Sequence, residues 1–278
     1  MSKRTIIQIL YQNDDILVVN KPSGVSVTKD RTDAAQLTDL LARQMDKEAV
    51  SQLRLVHRLD KDTSGVMLLA KNIDAQRFYS DIFEQRLAQK TYLALIRGAI
   101  SDTSGTIDLP LGEDHTKPNG MRIDRKNGKP SVTKWRLAAN FGNLKLLAVQ
   151  PLTGRKHQIR VHLCSMGIPL AIDPLYASKN PLLLSETKGN YNLRKFQEER
   201  PLMERLTLHA YQLVIPETSA VLNHDKFAKQ SHCFVAALDK KFTAAVKMLT
   251  KHNSKGPDAF VNQSELEIIL KAQPLLTS

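Results

Sequence analysis

The sequence predicts an α+β fold, on three observations. Short, mostly apolar runs, the β-branched Ile16–Val19 together with Val66–Ala70 and Leu144–Val149, read as buried strands. Other segments place apolar residues at helical spacing. The two kinds of segment follow one another without the regular βαβ rhythm of an α/β protein.

The elements follow in order. Ile16–Val19 comes after the turn-like Asn13-Asp14-Asp15 and runs into Lys21-Pro22-Ser23-Gly24, so a strand is expected to end there in a loop. Thr32 and Asp33 are candidate N-caps for a helix with Leu37, Leu40, Leu41 and Met45 on one face. Val66–Ala70 is expected as a central strand. Asp74 is expected to cap a second helix, along which Phe78, Ile82, Phe83 and Leu87 recur. Tyr92, Ala94 and Ile96 share one face of a strand. The polar stretch Asn119–Lys134 reads as a long loop or hairpin carrying Arg122, Arg125, Lys126 and Lys129. Leu144–Val149 leads into a Pro-Leu-Thr-Gly loop, and His157–Ser165 fits a short helix stopped by Gly167. Lys179–Glu204 is charged and irregular, and Leu206–Ile215 is strand-like. From Lys251 a polar tail is expected, with one amphipathic stretch at Leu266–Leu270.

Composition narrows the partners. The 278 residues carry 40 Lys and Arg against 28 Asp and Glu, a net charge of +12. A surplus of that size attracts polyanions such as nucleic acid; a merely basic, solvated surface is the plain alternative. The two cysteines, Cys164 and Cys233, have no partners at metal-ligand spacing and suit a reducing compartment; Cys164 is expected to pack against a helix. No apolar run approaches the roughly 20 residues of a membrane span, and the N-terminal stretch lacks the apolar core of a signal peptide. A cytoplasmic protein is expected.

The most informative stretch is VHRLDKDTSGVMLLAK, Val56–Lys71. By its residues alone, His57-Arg58-Leu59-Asp60 before Thr-Ser-Gly is a surface loop in which an aspartate caps a turn. The string resembles the catalytic motif of the RluA family of RNA pseudouridine synthases. Further segments resemble that family in its order: YQNDDILVVNKPSGVSV (Tyr11–Val27), KTYLALIRG (Lys90–Gly98), LTGRKHQIRVHL (Leu152–Leu163), IDPLY (Ile172–Tyr176) and LHAYQLVIP (Leu208–Pro216). One departure is Ile172, where the family usually has glycine; it puts the local turn geometry in question. Another is the stretch between Tyr176 and Leu206, longer than in the shortest members. With ten residues ahead of Tyr11, no S4-type RNA-binding domain is expected there.

The resemblance implies a pseudouridine-synthase catalytic domain over residues 1–250 and a tail over 251–278. Its fold would be a long, mixed, mostly antiparallel sheet with flanking helices and a central cleft that holds Asp60. It also implies a reaction. A uridine's C1′–N1 bond breaks, the base turns, and it rejoins through C5, with no metal, redox group or other cofactor. One carboxylate near C1′ is required, as nucleophile or base, and the resemblance assigns it to Asp60. Arg160 would supply the guanidinium that keeps such a carboxylate charged, although spacing alone would make it a solvated helix arginine or a phosphate contact. Tyr92 would stack on the flipped-out base; its residue-level reading is a half-buried strand tyrosine.

Arg58, His57, Lys21, Arg155, Lys156 and His157 are the candidate RNA contacts. Arg155 and Lys156 stand where a loop meets a helix N-terminus, which favours phosphate. Aromatic residues make up only 5% of the chain, so a folded stem-loop of ribosomal or transfer RNA is expected rather than a bare strand. A monomer is expected. Two rivals stand beside this reading: a non-catalytic RNA-binding or ribosome-assembly factor, and a glycosidase-like hydrolase. The second would ordinarily need two flanking carboxylates.

Overall fold

In chain order the elements are β1 (Gln8–Gln12), β2 (Ile16–Lys21), α1 (Leu37–Leu41), α2 (Lys47–Ser51), β3 (Arg54–Leu55), β4 (Ser64–Ala70), α3 (Ile73–Glu84) and β5 (Gln89–Arg97). Then come β6 (Ser104–Asp108), β7 (Leu111–Asp114), β8 (Gly120–Ile123), β9 (Val132–Phe141), β10 (Leu144–Pro151) and α4 (Gln158–Ser165). The chain closes with β11 (Leu208–Ile215), β12 (His232–Val235), α5 (Lys240–Asn253), β13 (Phe260–Val261) and α6 (Gln263–Leu270). This computed structural model describes residues 5–28, 36–186, 199–218, 227, 231–253 and 260–275. The elements confirm the α+β expectation.

The chain divides into two compact units, one of Met1–Thr91, Ala210–Ala237 and Pro274–Ser278, the other of Tyr92–His209 and Leu238–Gln273. In the first, β2 is antiparallel to both β1 and β4, β3 lies antiparallel on β4, and β12 is antiparallel to β11. Ile16, Leu17, Val18 and Val19 are all buried, as are all seven residues of β4. That explains why both strands read as continuous apolar runs rather than alternating ones. Gly65 is required by this packing: its φ is +120°, and a Cβ there would come within 2.1 Å of the Ala210 carbonyl oxygen. The Thr-Ser-Gly of the motif thus ends on the one residue type that lets β11 pass.

Both ends of α3 differ from expectation. The cap of α3 is Asn72, whose side chain accepts the Ala75 N–H at 2.8 Å, while Asp74 sits in the first turn. Both residues are good caps, and the register of the helix decides between them. The α3 helix ends in a left-handed Arg86 (φ 61°), with the Leu87 N–H returning to the Ile82 carbonyl, so Leu87 follows the helix instead of extending it. The candidate caps Thr32 and Asp33 lie outside the described residues; α1 does bury Leu37, Leu40 and Leu41.

In the second unit, β10 is antiparallel to both β5 and β9, β6 and β13 lie antiparallel on β9, and β7 and β8 form a separate antiparallel hairpin. The hairpin accounts for part of the polar stretch Asn119–Lys134, whose last residues belong to β9. The core gathers Ala94, Ile96, Leu147, Val149, Ile159, Leu163 and Leu208, with Tyr92 packed against it. The segment expected as a tail is built in: β13 pairs with β9, α6 buries Leu266 and Ile269, and Arg136 forms an ion pair with Glu265. In the first unit, Gln212 exchanges hydrogen bonds with the Leu275 backbone at 3.0 and 2.6 Å. Among the described residues no helix is long and apolar enough to cross a membrane.

Candidate active site

In the first unit the motif forms the connection between β3 and β4. Leu59 is 5% exposed and anchors this loop, while Arg58 is exposed and Asp60 half-buried. A turn follows, closed by the Thr63 N–H on the Asp60 carbonyl at 3.1 Å. The Lys-Pro-Ser-Gly loop after β2 grips the same turn. The Gly24 N–H donates to the Lys61 carbonyl at 3.0 Å, and the Ser23 hydroxyl to the Asp62 carbonyl at 2.6 Å. The backbone beside Asp60 is therefore held by groups from another part of the chain.

Two expected RNA contacts are corrected here. Lys21 is fully buried, and its ammonium donates to the carbonyls of Pro22 (3.1 Å), Val25 (2.9 Å) and Lys61 (2.9 Å). Three carbonyls match the three hydrogens of an ammonium, so Lys21 ties its own loop to the Asp60 turn rather than facing a phosphate. His57 also works internally. Its Nε2 accepts the Leu68 N–H at 2.9 Å, and its ring stacks on Phe83 with centroids 4.2 Å apart. Burial of the ring, with the nearby Lys90 ammonium adding to it, pushes the His57 pKa down to about 3. A neutral ring with a committed nitrogen holds the loop to β4. Lys90 is itself brought down to about 8 by burial and by Arg86.

In the second unit, α4 is fixed before Arg160 is placed. Gln158 spends its whole amide: Oε1 accepts from the Thr153 hydroxyl (2.6 Å) and the Arg155 N–H (3.0 Å), and Nε2 donates to the Val132 carbonyl and the Thr133 hydroxyl, both at 2.9 Å. One turn on, His162 Nδ1 lies 2.8 Å from the Thr133 hydroxyl and Nε2 lies 2.9 Å from the Leu109 carbonyl. A carbonyl only accepts, so Nε2 carries the proton. Burial pushes the His162 pKa down. These contacts join α4 to β9, while Ile159 and Leu163 enter the core.

Arg160, 6% exposed, reaches Asp173 at two points, Nε to Oδ2 at 2.8 Å and Nη2 to Oδ1 at 2.7 Å. Asp173 Oδ1 also accepts the Leu175 and Tyr176 N–H groups at 3.0 and 3.2 Å. The preceding Ile172 is buried with an ordinary negative φ, and its backbone exchanges hydrogen bonds with Thr207. Glycine is not needed at that position. His157, expected as the first helical residue, is instead a left-handed residue (φ 53°) ahead of α4. Arg155 is half-buried and Lys156 exposed. Cys164 lies on α4 and donates its thiol to the Tyr176 carbonyl at 3.2 Å.

The family model described as RNA pseudouridylate synthase matches residues 15–165, more than half of the chain. The chain belongs to that family. The matched stretch contains Asp60, Tyr92 and Arg160. The ribosomal large subunit pseudouridine synthase D of Borreliella burgdorferi is 32% identical over 213 residues, 70% of this chain and 65% of that protein. The dual-specificity RNA pseudouridine synthase RluA of Vibrio vulnificus is 35% identical over 184 residues, 64% of this chain and 72% of that one. The solved structure of human RNA pseudouridylate synthase domain containing 4 superposes with a TM-score of 0.63 at 26% identity, covering 87% of this chain and 92% of that one. The chain thus spans just under two thirds of the Borreliella relative's length.

Within this pseudouridylate synthase domain, sequence reasoning missed Asp173 and Tyr176 as site residues. The signal was present in IDPLY, whose aspartate and tyrosine both reach Arg160.

Proposed function

We propose that the chain converts uridine to pseudouridine in folded RNA, with Asp60, Tyr92 and Arg160 as its catalytic set. The observation that carries this reading is the family match over residues 15–165, which takes in all three. Asp60 either attacks the ribose at C1′ or removes a proton there as the C1′–N1 bond breaks. The base turns, C5 bonds to C1′, and the C5 hydrogen leaves to water while N1 gains one. Substrate and product are isomers, so the reaction balances without a co-reactant. The doubly held Asp60 turn supports its part, because a carboxylate kept in place before substrate arrives loses little on reacting. Tyr92, packed against the second unit's core, offers a fixed face to a flipped base.

Arg58, Arg155, Lys156 and His157 are the RNA contacts in this proposal, with Arg122, Arg125, Lys126 and Lys129 of the β7–β8 hairpin and its following turn as further phosphate partners. Ribosomal large-subunit RNA and transfer RNA are the proposed substrates; the name of the Borreliella relative supports the first. A cytoplasmic monomer is proposed.

Unmodified transcripts of both RNA classes, incubated with the protein and digested to nucleosides, test this reading. Pseudouridine should appear in one of them. Free uracil would revive the hydrolase, and no change in any transcript would favour a non-catalytic RNA-binding factor.

A further inference from the structure

Tyr176 collects contacts from three parts of the second unit. Its hydroxyl oxygen accepts the Met121 N–H of β8 at 2.8 Å and lies 2.7 Å from His157 Nδ1. The Arg160 guanidinium sits 5.0 Å from its ring centroid, and the Lys117 ammonium 5.5 Å. One half-buried side chain therefore touches the hairpin, the residue that opens α4, and Arg160.

A phenol holds one proton and accepts through its lone pairs. The Met121 N–H occupies one lone pair of the oxygen; the 2.7 Å contact then carries the phenol's proton to Nδ1 in one tautomer of His157, and an Nδ1–H to the oxygen's other lone pair in the second tautomer. An accepting Nδ1 places the imidazole proton on Nε2. His157 also has a φ of 53°, which a non-glycine residue keeps only where its surroundings hold it; the Tyr176 hydroxyl is one such restraint. The ring does something separate, facing the Arg160 cation with its electron-rich surface.

We propose that Tyr176 is a positioning residue for RNA: its hydroxyl fixes His157 as an Nε2–H donor to the RNA backbone and seats the β7–β8 hairpin beside it. This rests on the isomerase reading above and deepens it. The Tyr176 ring backs Arg160 independently, so the two contributions separate by substitution.

Tyr176→Phe removes the hydroxyl and keeps the ring; Tyr176→Leu removes both. Imidazole ¹⁵N spectra of the free protein read the first effect without RNA, with the His157 signal assigned by its loss in His157→Gln. The wild type should show the Nε2–H tautomer, and Tyr176→Phe a mixture of tautomers. Kinetics use whichever transcript the wild type modifies, large-subunit ribosomal RNA or a transfer RNA pool. Tyr176→Phe should raise KM about fivefold or more, the scale of one missing hydrogen bond, with kcat falling by less. Tyr176→Leu should lower kcat further. An unchanged His157 tautomer in Tyr176→Phe, or a KM within twofold of wild type, overturns the inference. So does a parallel fall in kcat, affinity and melting temperature in both variants. If the wild type modifies neither transcript, the isomerase reading fails by itself, and the His157 spectra alone decide whether Tyr176 orients that ring.

Discussion

Arg160 and Asp173 form a buried ion pair joined by two parallel hydrogen bonds, with the carboxylate 1% exposed and also receiving two backbone N–H groups. Such a pair is costly to break from one side, because the remaining charge stays in a poorly solvated place. Asp173→Ala should therefore lose about 3–5 kcal/mol of stability. Asp173→Asn, which keeps one accepting oxygen, should lose less. Urea unfolding of the two variants checks the order, and losses below about 1 kcal/mol in both would show that the pair is better solvated than its burial indicates.

Lys21→Met keeps the stem and removes the ammonium that joins the Lys61 carbonyl to its own loop. The variant leaves buried carbonyls without their donor, at about 1–3 kcal/mol for each that stays unpaired. Turnover should fall as well, since the freed turn carries Asp60. RNA affinity should hardly move, whereas a direct phosphate contact would show the opposite pattern, and filter binding beside kinetics separates the two.

Stability should also depend on pH through His57, whose folded pKa is about 3 against 6.5 as the ordinary value. Between those values the unfolded chain binds a proton that the folded one refuses, so stability is full above about pH 6.5 and drains as pH falls toward 3. The expected slope from this group is about 1.4 kcal/mol per pH unit at most. His57→Gln retains an acceptor for the Leu68 N–H and should flatten the acid limb. An acid limb identical to the wild type's would mean that His57 takes up its proton while folded.

RNA binding should weaken with salt through release of counterions. Arg125 and Lys126 are exposed on the turn after β8. Replacing both with Gln should reduce the slope of log affinity against log salt by about one for each phosphate that is no longer neutralised, with little change in turnover at saturating RNA. A slope equal to the wild type's would place the RNA elsewhere.

Much of this arrangement is legible in the sequence, and the failures share one cause. Tyr92, Ala94 and Ile96 share a face by the two-residue period of a strand, and Ile159 and Leu163 show their core face by helical spacing. Both are local periodicities. Lys21 misleads because a lysine beside Pro-Ser-Gly looks solvated, and only the return of the chain at Lys61, 40 residues later, buries it. His57 misleads for the same reason, since its partners Leu68 and Phe83 come from β4 and α3. The segment around Leu266 gives its amphipathic character away but not its place beside β9, which no local pattern encodes. Asp173 is the remaining case: a short aspartate before proline reads as a turn former, and its charge partner lies 13 residues back on another element.

If Asp60 drives isomerisation at C5 of a uridine, the most direct measurement is tritium release from RNA labelled at uridine C5, with wild-type protein and Asp60→Ala side by side. Release by the wild type, and none above background by a variant with the same melting temperature, is the predicted result. Equal release by both would remove Asp60 from the chemistry, and no release by folded wild type from any RNA would contradict the isomerase itself.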